Sequence, residues 1–274
     1  SNTPDADAAQ QSQRGALQHL RNALEEAQRL DEQAAQRQAE QARDALRKQY
    51  ESMLETQSTI HDETVALGDD DLGRRQRSQA RALAARQGEL RDELLAMADQ
   101  HEGLSEAPIF TLAHAQLDRL MAQSGAGLEE RRIETRTNQS QRQAMTILAS
   151  LVEVLQEQQQ QQDESDFEDG SSGGGEGGGQ GGGEQPVIPP VAELKLLRSM
   201  QQLVADQTRA ISEQETRDDS EVRSVVDLQR QLFEQGASLI ERMNPNPSPT
   251  EPDTNQETPN PEPINPVEEG GATP

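Results

Sequence analysis

Leu46, Met53, Ile60 and Leu67 stand seven residues apart in a stretch built mainly from Ala, Gln, Glu, Arg and Leu. These are good helix formers. Sustained seven-residue spacing marks a coiled-coil seam, a helix face that must find a partner helix. No other feature limits the fold as tightly. Tyr50 fills one intermediate position, and the same stretch opens near Gln10 with Leu17, Leu20, Leu24, Ala27 and Ala34. Alanine at several seam positions between Ala27 and Ala42 makes that part of the core thin. Read as one helix, 10–67 is on the order of 85 Å long at 1.5 Å per residue.

The pattern then repeats. Gly68 to Gly73 is a turn, and a second helix runs from about Arg74 to Gln100 with a seam of Leu83, Gln87, Leu90, Leu94, Met97 and His101. Two long helices joined by a short turn predict an antiparallel hairpin. After a loop at 101–108 comes a shorter helix, about Ile109 to Gln123, with Phe110, Ala113, Leu117 and Leu120 on one face. Ser124-Gly125-Ala126-Gly127 ends it, glycine standing where helix C-termini favour it. The next helix, about Leu128 to Gln162, has the most regular seam: Ile133, Thr137, Ser140, Ala144, Ile147, Leu151 and Val154. Leu148, Val152 and Leu155 thicken it, so the main core is expected there.

Composition agrees with a helical object. Only 31% of the chain is hydrophobic and 1% aromatic, too few large rings for a conventional enzyme core. No run approaches the roughly 18 apolar residues of a membrane span. Cysteine is absent, which excludes disulfides, zinc–thiolate sites and thiol nucleophiles. The net charge of −25 argues against general phosphate-backbone binding, which needs a basic face. The acid is concentrated where basic residues stop, from Gln143 to Leu194 and from Asn244 onward. Gly170 to Gln185 reads as a flexible linker. The Pro-, Asn-, Glu- and Thr-rich residues 244–274 read as a disordered tail. Between them, Val191 to Met243 is helical in pattern, with a break or exposed turn at Arg217-Asp218-Asp219-Ser220.

Chemistry-bearing motifs are missing. There is no phosphate-cradling loop of either common kind. The histidines, at 19, 61, 101 and 114, have no metal-ligand spacing. The acidic runs at Asp69 to Asp71 and Asp163 to Asp169 do not fit a calcium loop. Arginines gather at 74–86 and 131–142, without the aromatics that would stack bases. Their simplest use is pairing with acids on neighbouring helices.

The segment Val187-Ile188-Pro189-Pro190-Val191-Ala192-Glu193-Leu194-Lys195-Leu196-Leu197-Arg198-Ser199-Met200-Gln201, directly after the Gly-rich spacer, resembles one found in a group of secreted or envelope-associated helical proteins of planctomycete-type bacteria. Ala84 to Leu94 is similar to the Arg-Gln-x-x-Leu-Arg helices of that group. The specific match covers about 15 residues and the linker before them, with looser likeness over 80–215. It implies an extracytoplasmic protein made with a signal peptide, and it implies no activity.

The expectation is an all-α protein. It has a disordered lead-in (1–9), a long antiparallel helical hairpin or coiled-coil bundle (10–162) and a Gly-rich acidic linker (163–190). A helical segment (191–243) then docks in cis or on a partner, ahead of the disordered Pro-rich tail (244–274). The docking face is Leu194, Leu197, Met200, Val204 and Ile211. The expected role is a non-enzymatic structural or interaction protein, periplasmic or secreted, that binds a protein partner or itself through coiled-coil helices. No cofactor, metal or small-molecule substrate is expected, nucleic acid is disfavoured, and a membrane is reached only through an anchor upstream of Ser1. Two alternatives come from other classes: an accessory subunit of a membrane-bound complex, and an acidic nucleic-acid-associated or holdase-type chaperone.

Overall fold

The computed structural model describes residues 3–68, 72–133, 135–168, 186–213 and 219–244. These residues form seven helices and no strand: α1 (Thr3–Leu67), α2 (Arg74–Gln100), α3 (Glu102–Ser105), α4 (Pro108–Glu129), α5 (Thr135–Glu168), α6 (Pro190–Glu213) and α7 (Asp219–Met243). The Gly-rich stretch 170–185 and residues 245–274 lie outside the described residues.

Four helices close a ring. α1 packs on α2 and α5, and α4 packs on α2 and α5. Side chains fix the directions. Gln57 meets Gln87 and His101 meets Gln49, so α2 runs back along the C-terminal half of α1. Arg91 meets Asp118 at 2.5 Å and Gly125 faces Gln87, so α4 runs back along α2. Gln141 of α5 meets both His61 and Thr64 of α1. The core fills this ring with Leu46, Met53, Ile60, Leu90, Leu94 and Leu148, all buried. The seam residues of α5 from Ala144 to Val154 are buried too, as is Ile133 just before that helix.

The α1–α2 corner is tight because Gly68, at φ 73°, takes the left-handed conformation that glycine adopts without strain. Gln76 then accepts the Gly73 N–H (2.8 Å) and donates to the Leu67 carbonyl (3.1 Å), tying the start of one helix to the end of the other.

Several boundaries differ from the sequence reading. α1 begins at Thr3 and takes in residues 3–9, and α5 runs on to Glu168. α4 does not stop at Ser124; it continues through Gly125 and Gly127 to Glu129. The reason is packing. A Cβ on Gly127 would lie 2.1 Å from Thr137 Oγ1, so glycine there lets α4 and α5 approach. The left-handed cap falls instead on Arg131, at φ 60°. Its N–H donates to the Leu128 carbonyl (3.2 Å) and that of Arg132 to Gly127 (2.8 Å), the paired bonds of a Schellman motif. Leu128 therefore belongs to the last turn of α4 and not to α5, which starts at Thr135.

The 191–243 segment is two helices. Gly236 faces Leu197, and Arg242 meets Glu193 at 2.9 Å, so α7 folds back antiparallel on α6. This second hairpin lies against the α4–α5 side of the ring. Lys195 binds Glu157 at 2.6 Å across the α5–α6 contact. Val187 against Gly103 and buried Ile188 seat the chain ahead of α6.

Candidate functional site

Of the five residues expected on the docking face, Met200, Val204 and Ile211 are buried in cis, and Leu197 is half-buried against the core and Gly236. Leu194 alone stays exposed. Because α7 returns along α6, the face is covered by the chain's own second hairpin and by α4 and α5.

Glu193 holds that hairpin in place, although it is a charged residue only 1% exposed. Its Oε2 accepts the N–H of Ile109 (3.1 Å), in the first turn of α4. Ala107, at the N-cap, supplies no side-chain acceptor there. The carboxylate thus caps α4 from another helix and meets the positive end of its dipole. Oε1 accepts from Arg242 Nη2 (2.9 Å), whose Nη1 reaches the Glu106 carbonyl at 3.4 Å. One buried acid therefore joins α4, α6 and α7.

What the bundle leaves bare is more telling for function. On α7, Val225, Leu232 and Leu239 are buried, while the residues beside them, Val226, Phe233 and Ile240, are exposed. Phe233 is 72% exposed. These three stand at the seven-residue spacing of a helix seam. Met243 extends the row, and exposed Leu194 and Val191 lie at the same end of the α6–α7 hairpin. The second bare surface is the N-terminal half of α1. Burial along that helix begins at Ala39, and Leu17, Leu20, Leu24 and Leu30 are all more than half exposed. Residues 12–38 project roughly 40 Å from the bundle at 1.5 Å per residue.

Two pairs of buried polar side chains meet inside the ring. Gln57 and Gln87 exchange two amide hydrogen bonds, 3.1 and 2.8 Å, across the α1–α2 seam. Tyr50 and His114 meet edge to face, with the Tyr50 hydroxyl 2.6 Å from His114 Nε2. Burial raises the Tyr50 hydroxyl far above its ordinary value. Burial, with a smaller contribution from His101, lowers His114 to about 4. A neutral phenol and a neutral imidazole thus share this hydrogen bond, and the imidazole tautomer sets which of the two donates. His61 and His101 bond Gln141 and Gln49.

A cleft of about 520 Å3 between α4 and α7 is lined by Gln116, Arg119, Arg223 and Asp227 among others. Burial, with Arg136 nearby, lowers the Arg119 guanidinium from its ordinary value. The lining mixes cations with an acid. Among the described residues, no group of three or more His, Asp or Glu could hold a metal ion. No described helix is long and apolar enough to cross a membrane.

No protein-family model, curated protein or solved structure matches the chain. The α7 row was open to discovery from the sequence, because Val226, Phe233 and Ile240 repeat every seven residues one step after Val225, Leu232 and Leu239. The Glu193 cap joins positions too far apart in the chain for any local pattern to reveal.

Proposed function

We propose that this chain is a non-enzymatic structural or protein-interaction scaffold of the bacterial cell envelope, working through coiled-coil contacts. The observation that carries this is the division of its apolar rows. One set closes the bundle, and a second set, Val226, Phe233 and Ile240 with the leucines of the α1 arm, faces water. Soluble proteins seldom leave such ordered apolar rows bare unless something covers them. An amphipathic helix from a partner, laid along α7, would bury this row at the usual helix spacing. The likeness of 187–201 to helical envelope proteins supports the location.

The test is in-cell photo-cross-linking in the native host, with a photoreactive residue at Phe233 or Leu194, followed by cell fractionation and mass spectrometry. The reading expects one reproducible protein adduct in the envelope fraction and none from exposed polar positions such as Glu89. A cytosolic protein captured with nucleic acid, or with many unrelated clients, would remove it.

A further inference from the structure

The projecting half of α1 carries a surface that complements itself. A helix in a protein draws most of its stability from packing its apolar face, and among the described residues nothing in the chain covers 12–34. On helical spacing Leu17, Leu20, Leu24 and Ala27 form one seam. The helices that cover the Leu46, Tyr50 and Met53 seam stop short of it. α2 ends beside Gln49, where His101 meets that residue. α5 turns back on α4 at the Gly127–Thr137 contact and passes His61 and Thr64 at Gln141. At equal rise per residue it reaches its last residue, Glu168, opposite about residue 36 of α1.

Charge along the arm is split. From Ser12 to Leu24 the charged residues are Arg14 and Arg21, and no acid is present. From Glu25 to Glu32 there are four acids and one arginine. Arg29 is bound to Glu26 at 2.6 Å. Arg14, Arg21, Glu25 and Glu32 are exposed. Asp31 stands in the seam itself, one heptad after Leu24.

We infer that two copies of this chain pair through these arms, antiparallel, about a dyad near Asn22. This rests on reading the chain as a scaffold, and it names the partner of one of its surfaces. Antiparallel, Leu20 of one copy packs on Leu24 of the second, and Leu17 packs on Ala27. The same register sets Arg21 beside Glu25, and Arg14 beside Asp31 and Glu32. Arg14, Arg21, Glu25 and Glu32 lie on one flank of the seam, and an antiparallel pair brings like flanks together. A parallel in-register pair would instead stack Asp31 on Asp31 inside the seam, and like charges facing each other there oppose association. The two bundles then sit at opposite ends of a shared rod.

The absence of cysteine makes the arrangement directly readable on the full chain. Leu17→Cys and Ala27→Cys chains are prepared separately, mixed and oxidised. The antiparallel register expects a disulfide between the two variants on mixing and none in Leu17→Cys alone, where the thiols lie roughly 15 Å apart at 1.5 Å per residue. A disulfide in Leu17→Cys alone would overturn the orientation. A monomer by sedimentation at every concentration would overturn the pairing, and if such a monomer still cross-links through Phe233, the scaffold reading stands without it. Arg21→Glu should weaken the dimer roughly tenfold, since it breaks two symmetric ion pairs. Arg21→Glu with Glu25→Arg should restore it. Because the arm lies outside the bundle, each variant should keep the parent melting temperature.

Discussion

Replacing Glu193 by Ala removes one buried polar link between the second hairpin and the four-helix ring. The Ile109 N–H loses its acceptor, and a buried donor left unmade costs about 1–3 kcal/mol. The first turn of α4 also loses a negative charge at its positive end, worth up to about 2 kcal/mol in partly buried geometry. Two effects offset this. The Arg242 side chain is 39% exposed, so it can turn to water. The desolvation cost of the carboxylate also disappears. The net expectation is about 3 kcal/mol of destabilisation, a fall of roughly 10 °C in Tm for a chain of this size. Glu193→Gln, which keeps an acceptor but not the charge, should lose about half as much. Far-UV circular dichroism suits the melts, because the chain is helical and has no Trp. Hydrogen exchange supplies the local readout: the Ile109 amide should lose protection in Glu193→Ala while amides in the α1–α2 contact keep theirs. A Glu193→Ala protein within about 0.5 kcal/mol of the parent, with Ile109 still protected, would refute the capping argument.

Other perturbations test the rest of the core. His114 is held neutral, with its folded value near 4 against an ordinary value of 6.5, so below pH 6.5 the unfolded chain binds the extra proton first. Stability should be full above pH 6.5, fall by up to about 3 kcal/mol on the way to pH 4 and then level off for this group, and His114→Gln should flatten that part of a pH series of urea melts. Gly127→Ala should destabilise by about 2 kcal/mol despite alanine's better helix propensity, because the new Cβ meets Thr137 Oγ1. Adding Thr137→Ala should recover part of that loss. Arg131→Gly should stabilise by about 1 kcal/mol, since it relieves a left-handed non-glycine residue. Gln57→Leu alone should cost about 1–3 kcal/mol by leaving the Gln87 amide unmatched, whereas the double replacement by Leu should be close to neutral in a double-mutant cycle.

The periodic parts of this fold were readable from sequence, because a seam is a local repeat and burial follows it. Leu83 to Met97 and Ala144 to Val154 are buried where the spacing put them. The reading went astray where one residue type serves two purposes. Gly127 looked like a helix end but is a point of close approach, and the cap it was expected to supply falls on Arg131. Leu17 to Ala34 looked continuous with the Leu46 seam, yet burial starts only at Ala39, where the covering helices end. The choice of partner for each seam was not readable either. A heptad says that a face needs covering and not by what, so Met200, Val204 and Ile211 could not be assigned to cis packing before α7 was seen to fold back. The Gln57–Gln87 and Glu193–Ile109 pairs are contacts of the same kind, each set by tertiary packing.

The most direct test of the central claim, that the rows left bare by the bundle are working contact surfaces, is hydrogen exchange on the full chain across a concentration series. Peptides within 44–67 and 83–97, inside the bundle, should exchange slowly at every concentration. Those from 12–34 should exchange quickly when dilute and slow as the chain is concentrated, because the arm is held only by a second copy. Fast exchange across 12–34 at the highest concentration would contradict the claim for the arm, since it would then have no partner in its own kind, and would leave the α7 row as the contact surface still to be tested.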